Sequence, residues 1–175
     1  MNIKIHSRHV DNKLKVAMHA MCEFALARLQ ISNRLRNNLN LTIHMKHHDN
    51  EGEARVGKDA NRYRPRHFDI FLDHHRMEKD DYGRSLEDTE WGHRVLKVLA
   101  HELVHVKQYI MGELSWRDAG LLWHGKNFDP KNILNYYELP YEIEAHGREY
   151  GLLVGFLVVW NNIEKEMKIE LDNLV

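Results

Sequence analysis

The segment from Leu86 to Gly112 constrains the fold more than any other part of the sequence. Its apolar residues recur at three- and four-residue steps and cover more than half of a helix circumference. Ser85 is a candidate N-cap, acidic residues follow in the first turn, and Gly112 offers a C-terminal stop. A helix that is apolar on most sides needs neighbours on most sides, so this segment is predicted to lie at the centre of the core. The apolar positions are Val95, Leu96, Val98, Leu99, Leu103, Val106 and Ile110.

The remaining sequence predicts an α+β order of elements around this helix. Three short segments have the apolar patterns of strands, and two further segments repeat apolar residues with helical spacing. The first is a helix from Asp11 to about Ile31, capped by Asp11 or Asn12, and strands follow at 39–45, 53–57 and 67–73. After the central helix come a loop-rich stretch at 115–139 and a helix from Pro140 towards Lys168. Because helices and strands do not alternate regularly, we expect a small three-stranded, mostly antiparallel sheet and not a parallel βαβ array. No repeat or linker divides the chain, which predicts one domain spanning 1–175.

Composition excludes several classes of protein. The 25 Lys and Arg nearly balance the 26 Asp and Glu, so bulk charge would not hold the chain on nucleic acid or on a membrane surface. The longest apolar run, 151–160, is about half as long as the roughly 20 residues that a membrane span needs. Cys22 is the single cysteine, so the chain forms no internal disulfide, and its first residues contain no apolar signal segment. We therefore expect a cytoplasmic location.

Within the central segment, His101, Glu102 and His105 form the pattern His-Glu-x-x-His, which uses two of the 14 histidines of the chain. Residues four apart share one face of a helix, so both imidazoles can reach one zinc ion while Glu102 reaches a water in its open coordination position. Zinc lowers the pKa of such a water to about 7, and the carboxylate can take its proton and pass it to a leaving amine. The pattern predicts His101 and His105 as zinc ligands and Glu102 as the general base of peptide hydrolysis.

A third protein ligand is needed, and three residues compete for that place. Glu142 lies at the start of the following predicted helix, where Ala145 is small enough, one turn later, to let two helices approach closely. His124, in the connecting loop, is the second candidate. Glu144 is a weaker one, because it lies about 200° around the helix from Glu142 and only one of the two can face the metal. The sequence favours Glu142 over His124 and leaves the choice open.

Two families carry these motifs. His-Glu-x-x-His followed by a helix with Glu-x-x-Ala resembles the gluzincin zinc metallopeptidases, in which the Glu of the second motif is the third ligand; this implies Glu142. Gluzincins usually place Asp or Asn after the Ala, where it supports a zinc-bound His, and this chain has His146 there. The order helix, strands, His-Glu-Leu-Val-His and His-Gly-Lys-Asn-Phe resembles the SprT-like domain, whose third ligand is the His of the last motif, which implies His124.

The strings HELVHVKQY and LPYEIEAHGREYG are most similar to small, uncharacterised SprT-like metallopeptidases of tailed bacteriophages. The resemblance covers about residues 10–160 and is strongest at 96–109 and 139–151. It implies a zincin-like fold of the minigluzincin or SprT-like type, a zinc-dependent metalloendopeptidase with a protein or peptide substrate, and a location in the host cytoplasm if the chain is phage-encoded. It also implies that a sheet edge binds the extended substrate. We expect that edge at 67–73, unless this segment is an ordinary core strand.

Two other functions fit the sequence. A zinc-binding interaction protein without turnover, engaging a phage or host partner, would close the metal site with four protein ligands, including both Glu142 and His124. A DNA-associated protease would resemble the eukaryotic SprT-domain enzymes, but the sequence contains no zinc-ribbon cysteines and no basic tail. We expect no membrane association and no direct contact with nucleic acid.

Overall fold

The computed structural model describes residues 1–8, 10–58, 60–61, 63–80, 82–117, 120–129 and 136–172, without the side chains of residue 164 and residues 166–172. This part of the chain forms an α+β structure with four helices and two small sheets, which confirms the predicted class. The strands are β1 (Asn2–His6), β2 (Asn40–Met45), β3 (Gly52–Val56), β4 (His67–Leu72), β5 (Leu114–Arg117), β6 (Gly120–Trp123) and β7 (Lys126–Asn127). The helices are α1 (Asn12–Arg28), α2 (Asn33–Asn37), α3 (Asp88–Met111) and α4 (Pro140–Asp172).

The larger sheet has four strands in the order β1-β2-β4-β3. β1 is parallel to β2, β2 is parallel to β4, and β3 is antiparallel to β4. The prediction of three mostly antiparallel strands is therefore wrong. β1 supplies the fourth strand, and because α1 and α2 form the crossover between β1 and β2, these two strands run in the same direction. The alternation of Ile3 and Ile5 with polar neighbours is the sequence signal for β1.

β3 forms the edge of this sheet beside α3. β4 pairs with β2 on one side and with β3 on the other. The prediction of a substrate-binding edge at 67–73 is therefore wrong, and this segment is the core strand that was the alternative. Phe68, Ile70 and Leu72 of β4 are fully buried, whereas every residue of β3 is at least partly exposed. The strongly apolar sequence of β4 is typical of a strand with neighbours on both sides.

β5, β6 and β7 form a second, antiparallel sheet within residues 114–127. The sequence predicts a loop from 115 to 139, which is wrong for its first half. These strands are only two to four residues long, so no periodic pattern reveals them. The second half of the predicted loop contains residues 130–135, which lie outside the described part of the chain.

α3 lies at the centre of the core, as its apolar circumference predicts. Val95, Leu99 and Leu103 are fully buried, and the helix contacts α1, α4 and β3. The middle of α3 is therefore enclosed by helices on two sides and by the sheet edge on another. The polar side chains in this stretch are therefore largely shielded from water and need partners within the protein.

The helix ends follow the sequence approximately. α1 ends at Arg28, before the predicted end at about Ile31, and α2 was not predicted. Asp11 caps α1, and its Oδ1 accepts a hydrogen bond from the backbone N–H of Leu14 at 2.7 Å. α3 has Glu87 as its N-cap, so the predicted cap at Ser85 is wrong by two residues. Gly112 ends α3 with φ 71°, a left-handed conformation that glycine adopts without strain, as predicted.

α4 packs against α3. Ala145 is fully buried one turn after Glu142, on the face of α4 that meets α3, so the small side chain permits the close approach that the sequence predicts. Leu152, Leu153 and Phe156 continue the buried face towards the end of the core. Although α4 has 33 residues, no helix in the described ranges has the apolar length that crossing a bilayer requires.

The contact between α3 and α4 gives a first testable prediction. Replacing Ala145 by Leu inserts a large side chain at a fully buried position and is expected to lower the free energy of unfolding by about 1–3 kcal/mol. Val154→Leu, at a position of α4 that is 43% exposed, is the control and should change it by less than about 0.5 kcal/mol. Denaturant unfolding of the metal-free proteins measures both values. Equal stability of the two variants would show that the helices leave room at Ala145.

Candidate metal centre

α3 places the rings of His101 and His105 side by side on a buried face. Each residue is 8% exposed, and their Nε2 atoms lie 3.1 Å apart. Four residues are close to one helical turn, so the two rings project over the same point. Leu103 and Val104 between them are fully buried, which fixes the rotation of α3 and therefore the direction of both rings.

Glu142, in the first turn of α4, completes a triangle with these two rings. Its Oε2 lies 3.2 Å from Nε2 of His101 and 3.4 Å from Nε2 of His105. Zinc–ligand bonds of about 2.0–2.1 Å in tetrahedral geometry separate neighbouring ligand atoms by about 3.3–3.4 Å. The three atoms are therefore already spaced as a tetrahedral cation requires. The structure brings together the two histidines and the third candidate that the sequence favours.

The two weaker candidates for the third ligand point elsewhere. His124 is exposed in the turn between β6 and β7, with φ 48°, and it belongs to no cluster of potential ligands among the described residues. Glu144 contacts cations instead, because its Oε1 lies 2.8 Å from Nζ of Lys107 and 2.9 Å from Nε of Arg148. Glu144 and Glu142 point in different directions around α4, as their spacing predicts. Glu144 therefore contacts Lys107 and Arg148, and Glu142 contacts the two histidines.

Hydrogen bonds on the far side of each ring determine which nitrogen carries the proton. Nδ1 of His101 lies 2.7 Å from Oε2 of Glu149, and Nδ1 of His105 lies 2.9 Å from Oε1 of Gln108. Both partners are oxygen acceptors, so each Nδ1 donates, and in the neutral ring each Nε2 then presents a lone pair. When both rings are neutral, the two lone pairs and the Glu142 carboxylate point at the same place, which is unfavourable unless a proton or a cation lies between them.

The pKa shifts of these groups have the same cause. Burial lowers the pKa of His101, but its hydrogen bonds to Glu142 and Glu149 outweigh burial and raise that pKa to about 9. Burial raises the pKa of Glu142, while hydrogen bonds from His101 and His105 hold it well below its usual range. Both shifts favour a positive charge inside the triangle, which a bound cation supplies without protonating either ring.

Glu149 is a candidate functional residue that was not predicted from the sequence. It is 9% exposed, and its Oε1 lies 3.0 Å from Nζ of Lys97 while Oε2 holds His101. Glu149 follows Glu142 by seven residues, two turns along the same face of α4, so the spacing between the two acids was an available signal. The residue that contacts Nδ1 of His101 is therefore Glu149.

Gln108 joins the ring of His105 to α4. It is fully buried, and its Nε2 donates to the backbone oxygen of Tyr141 at 2.9 Å and to Oε2 of Glu144 at 3.1 Å. One side chain therefore fixes the His105 ring and also the helical turn that carries Glu142. Gln108 follows His105 by three residues, but a single amide has no pattern that distinguishes it from other polar residues of the helix.

His146 is a further potential donor beside the triangle. His101, Glu142 and His146 can each place one ligand atom within 4.8 Å of the other two. This spacing of the possible ligand atoms is wider than the 3.1–3.4 Å of the triangle. Nδ1 of His146 instead lies 3.3 Å from Oε2 of Glu149. Its Nε2 is buried and has no hydrogen-bond partner in the described part of the chain. The His146 ring would have to rotate to reach a metal held by the triangle.

Glu102 projects from α3 towards β3. It is 4% exposed, and the backbone N–H of Ala54 donates a hydrogen bond to its carboxylate. Burial raises the pKa of Glu102 to about 7, against the lowering effect of His105 and His101. Its Oε2 has no hydrogen-bond partner among the described residues. A cavity of about 230 Å³ opens here, and its lining includes Gly52, Ala54, Glu102, His105, Tyr136 and Glu142.

Tyr136 adds a hydroxyl group to this cavity. Its side chain hydrogen-bonds to Glu142, and burial together with that bond raises the pKa of Tyr136. The hydroxyl therefore stays protonated at neutral pH and can act as a donor. Tyr141 lies on the same side of the site, with its ring centroid 6.1 Å from that of His105.

A comparison of the chain with protein-family models, with curated proteins and with solved structures found no match to any of them. The geometry alone therefore defines the class of site. It is a potential metal-binding site of buried side chains, in which His101 and His105 come from one helix and Glu142 from a second. The Glu102 carboxylate lies next to it and borders a cavity.

Glu149 gives a testable prediction for this site. Glu149→Gln keeps the size of the side chain but removes the negative charge that faces Nδ1 of His101, so we expect zinc affinity to fall by about 10- to 100-fold. Competition with a zinc chelator measures the affinity. Glu23→Gln, the same change on α1, is the control and should bind zinc as the unmodified protein does. If both variants bind zinc equally well, Glu149 does not support His101.

Proposed function

We propose that the protein is a zinc-dependent metallopeptidase with a zincin-like fold of the SprT-like and gluzincin type. The observation that supports this most directly is the 3.1–3.4 Å triangle of His101, His105 and Glu142. Two imidazoles and one carboxylate form one of the usual ligand sets of catalytic zinc, which leaves one coordination position for water or substrate. Glu102, next to the triangle, is the general base.

When bound, zinc lowers the pKa of a coordinated water to about 7 and polarises the carbonyl group of a substrate. Glu102 accepts one proton of the attacking water as the new C–O bond forms, and it donates that proton to the leaving amine as the C–N bond breaks. The N–H of Ala54 holds its carboxylate in place, and Oε2, which has no partner in the described part of the chain, is available for the proton. Tyr136 can donate a hydrogen bond to the negative charge that develops on the carbonyl oxygen.

β3 supports an extended peptide as the substrate. Gly52, Glu53 and Ala54 of this strand line the cavity next to Glu102. An edge strand presents backbone donors and acceptors to which a peptide can add as a further strand, although the N–H of Ala54 is already bonded to Glu102. A peptide bound in this way would pass directly in front of the triangle. We therefore assign extended segments of proteins or peptides as the substrate class.

A zinc-binding interaction protein without turnover is the second candidate, and the position of His146 favours it. If its ring rotates onto a metal held by His101, His105 and Glu142, four protein ligands close the site. The cavity beside Glu102 favours the open site instead. A zinc-bound crystal structure separates the two candidates, because it shows either a water molecule or His146 in the fourth position.

Glu102 gives the central prediction for the proposed function. Glu102→Gln should retain zinc and lose hydrolysis of an unfolded protein by about 10²–10⁴-fold, because the amide cannot accept the proton of the water. His101→Ala should lose both zinc and hydrolysis. Elemental analysis gives the zinc content, and gel electrophoresis of a denatured protein substrate gives the rate. Full activity of Glu102→Gln would contradict the mechanism.

Gly52 gives a second prediction for catalysis. A methyl group there would overlap Oε1 of Glu102 and lie 2.7 Å from Cγ1 of Val98, so the carboxylate must leave its place. We expect Gly52→Ala to retain zinc and to lower kcat/KM by about 100-fold. Gly92→Ala is the control, since the nearest atom to its new methyl group is 4.0 Å away. Wild-type kcat/KM in Gly52→Ala would show that Glu102 need not be held against β3.

A further inference from the structure

We propose that a cleft next to the metal centre selects substrates with an acidic side chain on the amino-terminal side of the cleaved bond, and that Arg117 recognises this side chain. The inference rests on the proposed peptidase function. The acidic side chain is that of Asp or Glu, because two carboxylate oxygens match the paired N–H groups of a guanidinium.

The cleft extends the metal-centre cavity along β3. It has a volume of about 510 Å³ and lies between the second half of β3 and the strand β5. Ala54, Tyr109, Leu114 and Trp116 line both the cleft and the cavity, so the two spaces are neighbours that share a wall. A peptide that binds along β3 in front of the metal therefore continues into the cleft.

The charges that line the cleft favour a negative ligand. Among the described residues the lining contains three basic side chains, Arg55, Lys58 and Arg117, and one acidic side chain, Glu53. Arg55 and Glu53 neutralise each other through a hydrogen bond of 2.8 Å from Nη2 to Oε2. Lys58 and Arg117 have no ion-pair partner in the described ranges, so their two positive charges remain for a ligand.

Arg117 is positioned for binding a carboxylate. Its Cζ lies 4.1 Å from the centroid of the Tyr63 ring, so the ring covers one face of the guanidinium and limits its motion. Its Nη1 has no hydrogen-bond acceptor among the residues that the structure describes. A charged donor without an acceptor is costly to bury, and a substrate carboxylate would supply the missing acceptor.

The direction of β3 determines which side of the cleaved bond enters the cleft. β3 starts at Gly52, beside Glu102, and runs to Val56, next to Lys58 and the cleft. A peptide that adds antiparallel to β3 runs the opposite way, so its amino-terminal residues lie beside Val56. The acidic side chain therefore precedes the cleaved bond.

Three matched peptides test the proposal. They share one sequence with a single cleavage site and carry Glu, Gln or Lys at the same positions before it. We expect the zinc-loaded protein to cleave the Glu peptide with a kcat/KM about 10- to 100-fold above that of the Gln peptide. Arg117→Glu should invert the order and favour the Lys peptide. Arg34→Glu, an exposed charge reversal on α2, should leave the order unchanged.

Binding of the same peptides to zinc-loaded Glu102→Gln, measured by fluorescence anisotropy, tests the cleft without turnover. Tighter binding of the Glu peptide that is lost in the double variant with Arg117→Glu would support the proposal. If the native protein cleaves none of the peptides, that result would overturn the proposed peptidase function but not the assignment of Arg117. Equal affinities for the Glu, Gln and Lys peptides would overturn the assignment of Arg117. An acidic preference that survives Arg117→Glu would overturn it as well.

Discussion

The convergence of three potential ligand atoms on one buried point is the physical constraint on which the site depends. Nε2 of His101, Nε2 of His105 and Oε2 of Glu142 lie within 3.4 Å of one another in a buried place, where a proton or a cation must lie between them. The packing of α3 against α4 holds them there, since neither helix can turn without breaking apolar contacts. The low dielectric constant of the interior also strengthens their attraction to a cation. The core around α3 therefore stabilises the fold and also holds three ligand atoms close together, an arrangement whose free energy a bound positive charge lowers.

The three long helices could be predicted because their signal is local. α1, α3 and α4 each repeat apolar residues with helical spacing, and each appears in the structure where the sequence places it. The sheet could not be predicted in this way. β1 and β2 are parallel because of the path that the chain takes between them, and β4 is central because β3 folds back against it. The sequence of a strand does not specify which strands lie beside it.

The same distinction applies within the candidate site. Spacing along one helix places His101 and His105 on one face, and a small residue one turn after Glu142 indicates that a second helix can approach. The partner of His101 Nδ1 is harder to predict: the seven-residue spacing places Glu149 on the face of Glu142, but the angle between α3 and α4 selects it from several polar residues on that helix. His124 is the opposite case: its motif is typical of a ligand, but its place in a turn of the second sheet leaves it exposed.

An unpaired sheet edge is also a place where copies of a protein can join and aggregate. β3 is such an edge, but it is only five residues long, and the N–H of Ala54 is already bonded to Glu102. The carboxylate assigned to proton transfer thus removes one donor from the ladder that a second copy would need. The hydrogen bond that holds Glu102 against β3 therefore also leaves this edge with one donor fewer for pairing with a second copy.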